Sequence, residues 1–187
     1  MEIERKWLLH EMPKPIDNGT LRSHMIVYQI YYATNPTLRA TKIEYISNLL
    51  GVDPVYKITM KSSGLLSREE LETEVSAEIY KAFEDECLAK GYKPIIKEYY
   101  KYQIDRDHVL EVCNVEGVFS YCEIEFKTEQ EARNFSSDDI MKFLNVDYLV
   151  DVTYSAYYKM KNYWSLTRIY NLRFDTDNSV PECESNT

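Results

Sequence analysis

Residues 1–9, MEIERKWLL, alternate between charged and apolar side chains. The charged set is Glu2, Glu4 and Lys6. The apolar set, on the other side, is Ile3, Trp7 and Leu9. Successive side chains of a strand point to opposite faces, so this period of two predicts a strand with one charged and one apolar face. The apolar face needs a core to pack against.

Further strand-like segments follow, rich in Tyr, Ile and Val and separated by Asn, Pro, Gly and Ser. They cover residues 26–33, 36–46, 54–62, 67–75, 93–104, 107–115 and 119–127. About eight strands with short connections favour an antiparallel sheet or barrel.

Helical patterns interrupt and follow these strands. The predicted helices are residues 76–91, 128–135, 137–144 and a segment that begins after a Thr153 cap. The first is amphipathic, with apolar positions at Ile79, Phe83 and Cys87 or Leu88. Helices packed outside the sheet would cover its apolar faces, which predicts the α+β class.

Composition limits the function. The chain has 187 residues, which fits a single domain, and a formal charge of −9, which opposes a broad grip on nucleic acid. Four cysteines without paired spacing indicate reduced thiols and a cytoplasmic location. No apolar run approaches the roughly 20 residues of a membrane-spanning helix, so no membrane partner is expected.

Charged residues share strand faces throughout the chain. Besides the first strand, the sets are Lys57, Thr59 and Lys61; Arg68, Glu70, Glu72 and Glu74; Lys97, Tyr99 and Lys101; Glu111 with Cys113; and Glu123 with Glu125. Each face, taken singly, is explained by contact with water, as on many antiparallel sheets. Taken together, the faces also fit a closed barrel with a polar interior.

A polar interior of this kind would need a ligand. Clustered carboxylates repel one another unless a cation lies between them, and Glu oxygens suit Mg²⁺ or Mn²⁺. Lys and Arg rows suit phosphate oxygens. If the barrel closes, the sequence therefore predicts a divalent metal and a polyphosphate bound together.

Several motifs resemble one known family. They are the Glu-x-Glu-x-Lys of residues 2–6, YKITMKSSGLLSREELETEV at 56–75, YCEIEFKTEQEA at 121–132 and DVTYSAYYKMKN at 151–162. Their order and spacing resemble the CYTH family, the triphosphate tunnel metalloenzymes, over residues 1–165. The resemblance implies an eight-stranded antiparallel barrel with outer helices. Residues 166–187 follow it, and we expect a loosely ordered tail there because its end has little to bury.

The resemblance also implies roles for individual residues. Metal ligands would be Glu2, Glu4, Glu123 and Glu125. Phosphates would be held by Lys6, Arg39, Lys61, Arg68 and Lys97, with Glu70 and Glu72 on the cavity wall. Glu111 and Glu125 would act in catalysis, Glu111 as a further acidic ligand or as a group that orients water. The implied reaction is metal-dependent hydrolysis of a triphosphate, with inorganic triphosphate preferred.

Three positions depart from the family pattern. Thr41 and Tyr99 occupy positions where the family has arginines. The acidic residue that the family has near Cys113 is missing. Lys101, or Lys42 if a bulge follows Arg39, would compensate for the lost guanidinium groups.

Other functions stay open at this stage. They are hydrolysis of thiamine triphosphate or a nucleoside triphosphate, adenylate cyclisation, and binding of phosphate chains without catalysis. The family often pairs, so a homodimer is allowed. His10, His24 and His108 are scattered, and we interpret them as surface or packing residues.

Overall fold

The computed structural model describes residues 1–16, 19–46 and 52–170, with side chains described as far as Thr167. Ten strands are present in this part of the chain. They are β1 (Glu2–Leu9), β2 (Leu21–Thr34), β3 (Thr37–Tyr45), β4 (Val55–Lys61), β5 (Ser67–Arg68), β6 (Glu70–Glu74), β7 (Ile95–Gln103), β8 (Val109–Val115), β9 (Phe119–Glu125) and β10 (Val150–Asp151).

The strands form one antiparallel sheet that closes nearly into a barrel. Its order is β10-β1-β9-β8-β7-β2-β3-β4-β6. Only Glu69 separates β5 from β6, and β5 pairs back onto β1 through Glu2 with Arg68 and Ile3 with Ser67. Counting β5 and β6 as one strand leaves eight strands around the barrel and the short β10 as an addition. The predicted fold class is therefore confirmed, with two more segments than expected.

The alternation of β1 divides inside from outside. Trp7 and Ile3 lie outside, in a core with Leu110, Val112 and Ile124 from the neighbouring strands. Two helices cover this core, α2 (Glu129–Asn134) and α3 (Asp138–Leu144), and they bury Ala132, Ile140 and Leu144. Not every outward apolar residue is covered, since Met60 and Leu71, which pair across β4 and β6, are 46% and 63% exposed.

The longest helix, α1 (Ala77–Ala89), covers β2 and β3. Its cap is Ser76, whose side chain accepts a hydrogen bond from the Ile79 amide. The buried face carries Tyr80 and Cys87, which pack on Ile30 and Ala40. The predicted face was wrong at Ile79, which is 52% exposed. Of the two alternatives for the last position, Cys87 is buried and Leu88 is 45% exposed. Tyr80, Phe83 and Cys87 follow the helical period equally well and meet the sheet.

The last helical segment differs from the prediction. Residue Thr153 does not begin a helix; it is buried, and its hydroxyl oxygen accepts a hydrogen bond from the Lys6 amide. Helix α4 (Met160–Trp164) begins seven residues later and continues as a π-helix, Ser165–Tyr170. It packs Met160 and Trp164 against the barrel interior. The tail predicted at 166–187 lies outside the described residues from position 171 onward.

The structure also bears on the cysteines and on membrane-spanning helices. Cys87, Cys113 and Cys122 are buried free thiols, while Cys183 lies outside the described residues. No helix among the described residues has the length and apolar content needed to cross a membrane.

Candidate functional site

The barrel encloses a cavity of about 330 Å³. Every residue to which the sequence assigned a site role lies on its wall: Glu2, Glu4, Lys6, Arg39, Lys61, Arg68, Glu70, Glu72, Lys97, Glu111, Glu123 and Glu125. The structure thus brings together side chains that are up to 123 positions apart in the sequence. Their roles as ligands or catalysts stay predictions.

The charge of the wall differs from that of the whole chain. Nine Lys and Arg side chains and seven Glu side chains line the cavity, which leaves an excess of two positive charges. The chain as a whole carries −9. Low-dielectric walls concentrate such a local field, so the cavity favours an anion within an acidic protein.

The seam between β1 and β5 is held by ion pairs. Arg68 Nε lies 2.7 Å from Glu2 Oε2, and Arg68 Nη2 lies 3.1 Å from Glu4 Oε1. Lys61 Nζ, from β4, lies 2.8 Å from Glu2 Oε1 and 3.0 Å from Glu70 Oε2. Gly64 shapes the preceding turn, because a Cβ there would lie 2.1 Å from the Ser67 carbonyl oxygen. The charged groups and the barrel closure therefore depend on each other.

Sequence reasoning missed Lys159, at the start of α4. Its Nζ donates to Glu4 Oε1 at 3.1 Å and to the Leu65 carbonyl at 2.9 Å. Lys161 also lines the cavity and donates to the Thr34 carbonyl at 2.9 Å. The available signal was two lysines at i and i+2 inside a Tyr- and Met-rich segment. The start of α4 thus supplies two cations to the cavity wall.

Glu123, on β9, is held by side chains from β1 and β7. Lys6 Nζ lies 3.0 Å from Glu123 Oε2, and Tyr99 Oη donates to Glu123 Oε1 at 2.7 Å. Lys6 also lies over the Tyr121 ring, with its Nζ 4.2 Å from the ring centre. Lys97 Nζ donates to Tyr121 Oη at 3.2 Å. Tyr99 therefore bonds to a carboxylate at the position where the family pattern has a guanidinium.

The two suggested compensations have different outcomes. Lys101 lines the cavity and forms an ion pair with Glu111. Lys42 is not on the cavity wall; it pairs with Glu44 and lies 5.0 Å from the centre of the Tyr28 ring. The bulge that would have turned it inward is not after Arg39, since the irregularity in this hairpin falls between residues 31 and 33 of β2. That suggestion was wrong.

Two carboxylates have pKa values lowered by neighbouring cations. Burial raises the pKa of Glu4, but Lys6, Arg68 and Lys159 outweigh it and hold this pKa well below 4.5. Burial likewise opposes ionisation of Glu123, and the nearby Lys6 charge brings its pKa below the usual value despite repulsion from Glu4. Both groups are therefore ionised at neutral pH.

Three other wall carboxylates have raised pKa values. Burial is the largest cause for Glu125, and repulsion from Glu2 and Glu111 adds to it. Burial also raises the pKa of Glu111, with Lys101 opposing it. The pKa of Glu70 is raised by burial against the attraction of Lys61. Ionisation of these three carboxylates is therefore unfavourable without a ligand, and a bound cation would favour it.

The residues present fit a hard divalent cation by their chemistry. Glu4 is directly opposite Glu125, and Glu123 is directly opposite Glu111, so two carboxylate pairs meet across adjacent strands. Oxygen ligands of this type suit Mg²⁺ and Mn²⁺. Within residues 1–16, 19–46 and 52–170, no three His, Cys, Asp or Glu side chains surround a single point. The wall carboxylates instead bond mainly to lysine and arginine.

The wall formed by β2 and β3 contains polar atoms without partners. Among the described residues, Gln29 Oε1, Arg39 Nε and Thr41 Oγ1 are buried and make no hydrogen bond. Gln29 and Thr41 are directly opposite each other, and both side chains line the cavity. Buried polar atoms in folded proteins are nearly always hydrogen-bonded, so these three, which face the cavity, are available to a polar ligand or to water.

Farther along the same two strands the wall becomes apolar. Met25 pairs with Tyr45, and Val27 pairs with Ile43, and all four line the cavity. Met25 and Val27 are 4% and 5% exposed. The cavity therefore has the charged section that the sequence predicted and, in addition, an apolar section.

The histidines lie outside the cavity, as predicted. His24 Nε2 is 2.9 Å from Glu98 Oε1, and its ring stacks on Tyr100 with centres 4.1 Å apart. His108 lies between Asp105 and Glu131 and packs against aromatic rings. None of the three lines the cavity.

Comparison with known proteins gives matches by structure alone. No protein-family profile and no curated protein sequence matches the chain. The protein HpAC1 from Hippeastrum, described as having a dominant triphosphatase activity, has a TM-score of 0.58 and 16% identity, with coverage of 86% of this chain and 93% of its own.

Two further structures are similar over most of their length. The PH1819 protein from Pyrococcus horikoshii OT3 has a TM-score of 0.55 at 20% identity and covers 80% of this chain and 93% of its own. The inorganic triphosphatase NE1496 has a TM-score of 0.50 at 19% identity, with 87% and 93% covered. Together with the barrel topology, these structures confirm the resemblance stated from the sequence: the chain has the triphosphate tunnel fold of the CYTH family.

Proposed function

We propose that this protein is a divalent-metal-dependent triphosphatase whose preferred substrate is inorganic triphosphate. One observation carries the proposal: nine cationic and seven acidic side chains line one cavity of about 330 Å³. This volume is at the low end of ligand pockets, which run roughly from 300 to 1,000 Å³. A small, highly charged ligand uses such a cavity best. Two of the structural neighbours are described as having triphosphatase activity.

In this proposal different cationic side chains bind different phosphoryl groups of the triphosphate. Arg39, Lys61 and Arg68 bind from the β3–β5 side, and Lys6 and Lys97 bind from β1 and β7. Each charged hydrogen bond to a phosphate oxygen contributes on the order of 1.5–3 kcal/mol. Ion pairs with glutamates keep Lys6, Lys61 and Arg68 positioned before the ligand enters, which reduces reorganisation during catalysis.

The carboxylates would serve the metal and the attacking water. Glu2, Glu4, Glu123 and Glu125 would hold Mg²⁺ or Mn²⁺, which when bound would neutralise phosphate charge. Glu111 and Glu125 are the residues we assign to orienting water, because each lines the cavity as one member of a carboxylate pair. Positioning and charge neutralisation supply most of the rate enhancement in phosphoryl transfer.

Two alternatives are each favoured by a specific observation. The apolar section with Met25, Val27 and Ile43 favours a triphosphate ester that carries an organic group, such as a nucleoside or thiamine triphosphate. The second alternative is a protein that binds phosphate chains without hydrolysis. It is favoured by Cys113, which is fully buried in a core cluster where the family pattern has an acid.

Phosphate release from inorganic triphosphate, ATP and thiamine triphosphate, with Mg²⁺, Mn²⁺ or EDTA, tests the proposal. We expect fastest release from inorganic triphosphate, dependence on metal, and at least a hundredfold loss in Glu4→Gln and Glu125→Gln, roughly the cost of one electrostatic catalytic group. Glu86→Gln, on the exposed side of α1, is the control. Wild-type rates in both cavity variants would rule out the metal site, and ligand binding without release would favour the non-catalytic protein.

A further inference from the structure

The pair Gln29 and Thr41 stands out because it is neutral in a cavity lined mostly by charges. The two residues are 5% and 4% exposed and lie directly opposite each other on β2 and β3. Neither Gln29 Oε1 nor Thr41 Oγ1 has a hydrogen-bond partner among the described residues. Burial of such atoms without a partner is unfavourable, and a hydrogen bond to a bound ligand would remove this cost.

The charges around the pair indicate the sign of that ligand. Arg39, two positions from Thr41 on the same strand face, has an unpartnered Nε and lines the cavity. Lys57 is directly opposite Thr41 on β4 and also lines the cavity, where its Nζ lies 2.6 Å from Glu72 Oε1. Tyr31 lies two positions beyond Gln29; burial raises its pKa, but Arg39, Lys97 and Lys61 outweigh burial and lower it. The surrounding field is therefore positive and favours an anionic group.

We propose that Gln29 and Thr41 form a neutral subsite that hydrogen-bonds one phosphoryl group of the triphosphate beside Arg39. The Thr41 hydroxyl donates to a phosphate oxygen, and rotation of the Gln29 amide presents its NH₂ group as a second donor. This subsite replaces a guanidinium, since the family pattern has an arginine at position 41. The inference rests on the proposed function, because it takes the ligand to be a triphosphate.

Binding of a methylene-bridged, non-hydrolysable triphosphate, measured by calorimetry with Mg²⁺, tests this assignment. Thr41→Val and Gln29→Leu should each weaken binding by roughly 10- to 150-fold, the effect of one hydrogen bond to a charged group. The factor should be the same at low and high salt, because no charge is removed. Thr41→Ser keeps the hydroxyl and should bind as the wild type does.

Gln29→Glu separates an anionic occupant from a cationic one. A carboxylate next to a phosphoryl group should weaken binding more than Gln29→Leu does, whereas a carboxylate next to a bound cation would strengthen it. Tighter binding by Gln29→Glu therefore overturns the assignment. Unchanged binding by both Thr41→Val and Gln29→Leu also overturns it.

Two controls separate this subsite from a structural role. Thr41→Val removes an unpartnered buried hydroxyl, so the unfolding temperature without ligand should stay equal or rise; a drop would show that the hydroxyl supports the fold instead. Thr73→Val makes the same change on an exposed position of β6 and should not alter affinity. If the wild type binds no triphosphate, the proposed function fails; variants that bind like a binding-competent wild type overturn only this subsite.

Discussion

Tyr99 Oη donates a 2.7 Å hydrogen bond to Glu123 Oε1, while Lys6 Nζ lies 3.0 Å from the other oxygen of the same carboxylate. Both oxygens of Glu123 therefore contact donors from strands on either side. Tyr99 is 8% exposed, and burial raises the pKa of its phenol well above 10.0. The phenol therefore stays a donor at neutral pH and restrains Glu123.

Tyr99→Phe should lower the free energy of unfolding by about 1.5–3 kcal/mol, the contribution of a hydrogen bond to a charged group. Urea denaturation without ligand measures this change. Tyr100→Phe is the matched control, because Tyr100 Oη donates to Glu98, whose side chain is 42% exposed. Water can replace that bond, so the control should lose clearly less. Equal losses in the two variants would contradict the restraining role of Tyr99.

Lys159→Met should lower stability by about 3 kcal/mol, because it breaks a buried ion pair and leaves Glu4 with one close partner fewer. The Leu65 carbonyl also loses its donor. Thermal and urea unfolding measure the effect. Lys81→Met removes an exposed pair with Asp85 on α1 and should leave the unfolding curve unchanged. A Lys159→Met curve that overlays the wild type would mean that α4 is not anchored through Glu4.

The stability supplied by Glu4 should depend on pH. Its pKa in the folded protein lies below the ordinary 4.5, so its contribution is complete above 4.5 and is lost as pH falls through the folded pKa. The difference in unfolding temperature between wild type and Glu4→Gln should thus be largest near neutral pH and shrink below pH 4.5. A difference that stays constant across this range would contradict the ion-paired state of Glu4.

Glu125→Gln should have the opposite effect on stability. The pKa of Glu125 is raised by burial and by Glu2 and Glu111, so its ionised form opposes folding at neutral pH when no cation is present. The variant should unfold at a higher temperature than wild type in EDTA and lose this advantage when Mg²⁺ and triphosphate are added. Glu86→Gln should show neither change. Destabilisation of Glu125→Gln in EDTA would show that the carboxylate has a partner.

Much of the site could be predicted because side-chain direction on a strand depends on local backbone geometry. Once residues such as Lys57, Lys61, Glu70 and Glu72 share a parity, a strand places them on one face whatever the rest of the chain does. The outward position of Trp7 followed from the same parity. The sequence did not decide which face of α1 is buried. Ile79 and Tyr80 both fit an amphipathic period, and only contact with the sheet distinguishes them.

Other parts of the site were not predictable for physical reasons. Gln29 lies in a strand with Val27 and Tyr31, and nothing in that run marks the glutamine as inward and unpartnered. Lys159 comes from a segment 155 positions after Glu4, and its contact depends on where α4 docks. Lys42 would face the cavity only if a bulge followed Arg39 on β3. The irregularity lies on the partner strand β2 instead.

The sequence by itself determined which side chains share a face and that the shared faces are charged, because alternation requires only an extended backbone. Tertiary structure alone decided which rows meet. The return of β5 onto β1 sets Arg68 beside Glu2, and the docking of α4 brings Lys159 to Glu4. Both contacts join distant parts of the chain, so they depend on strand register and packing, which no local pattern specifies.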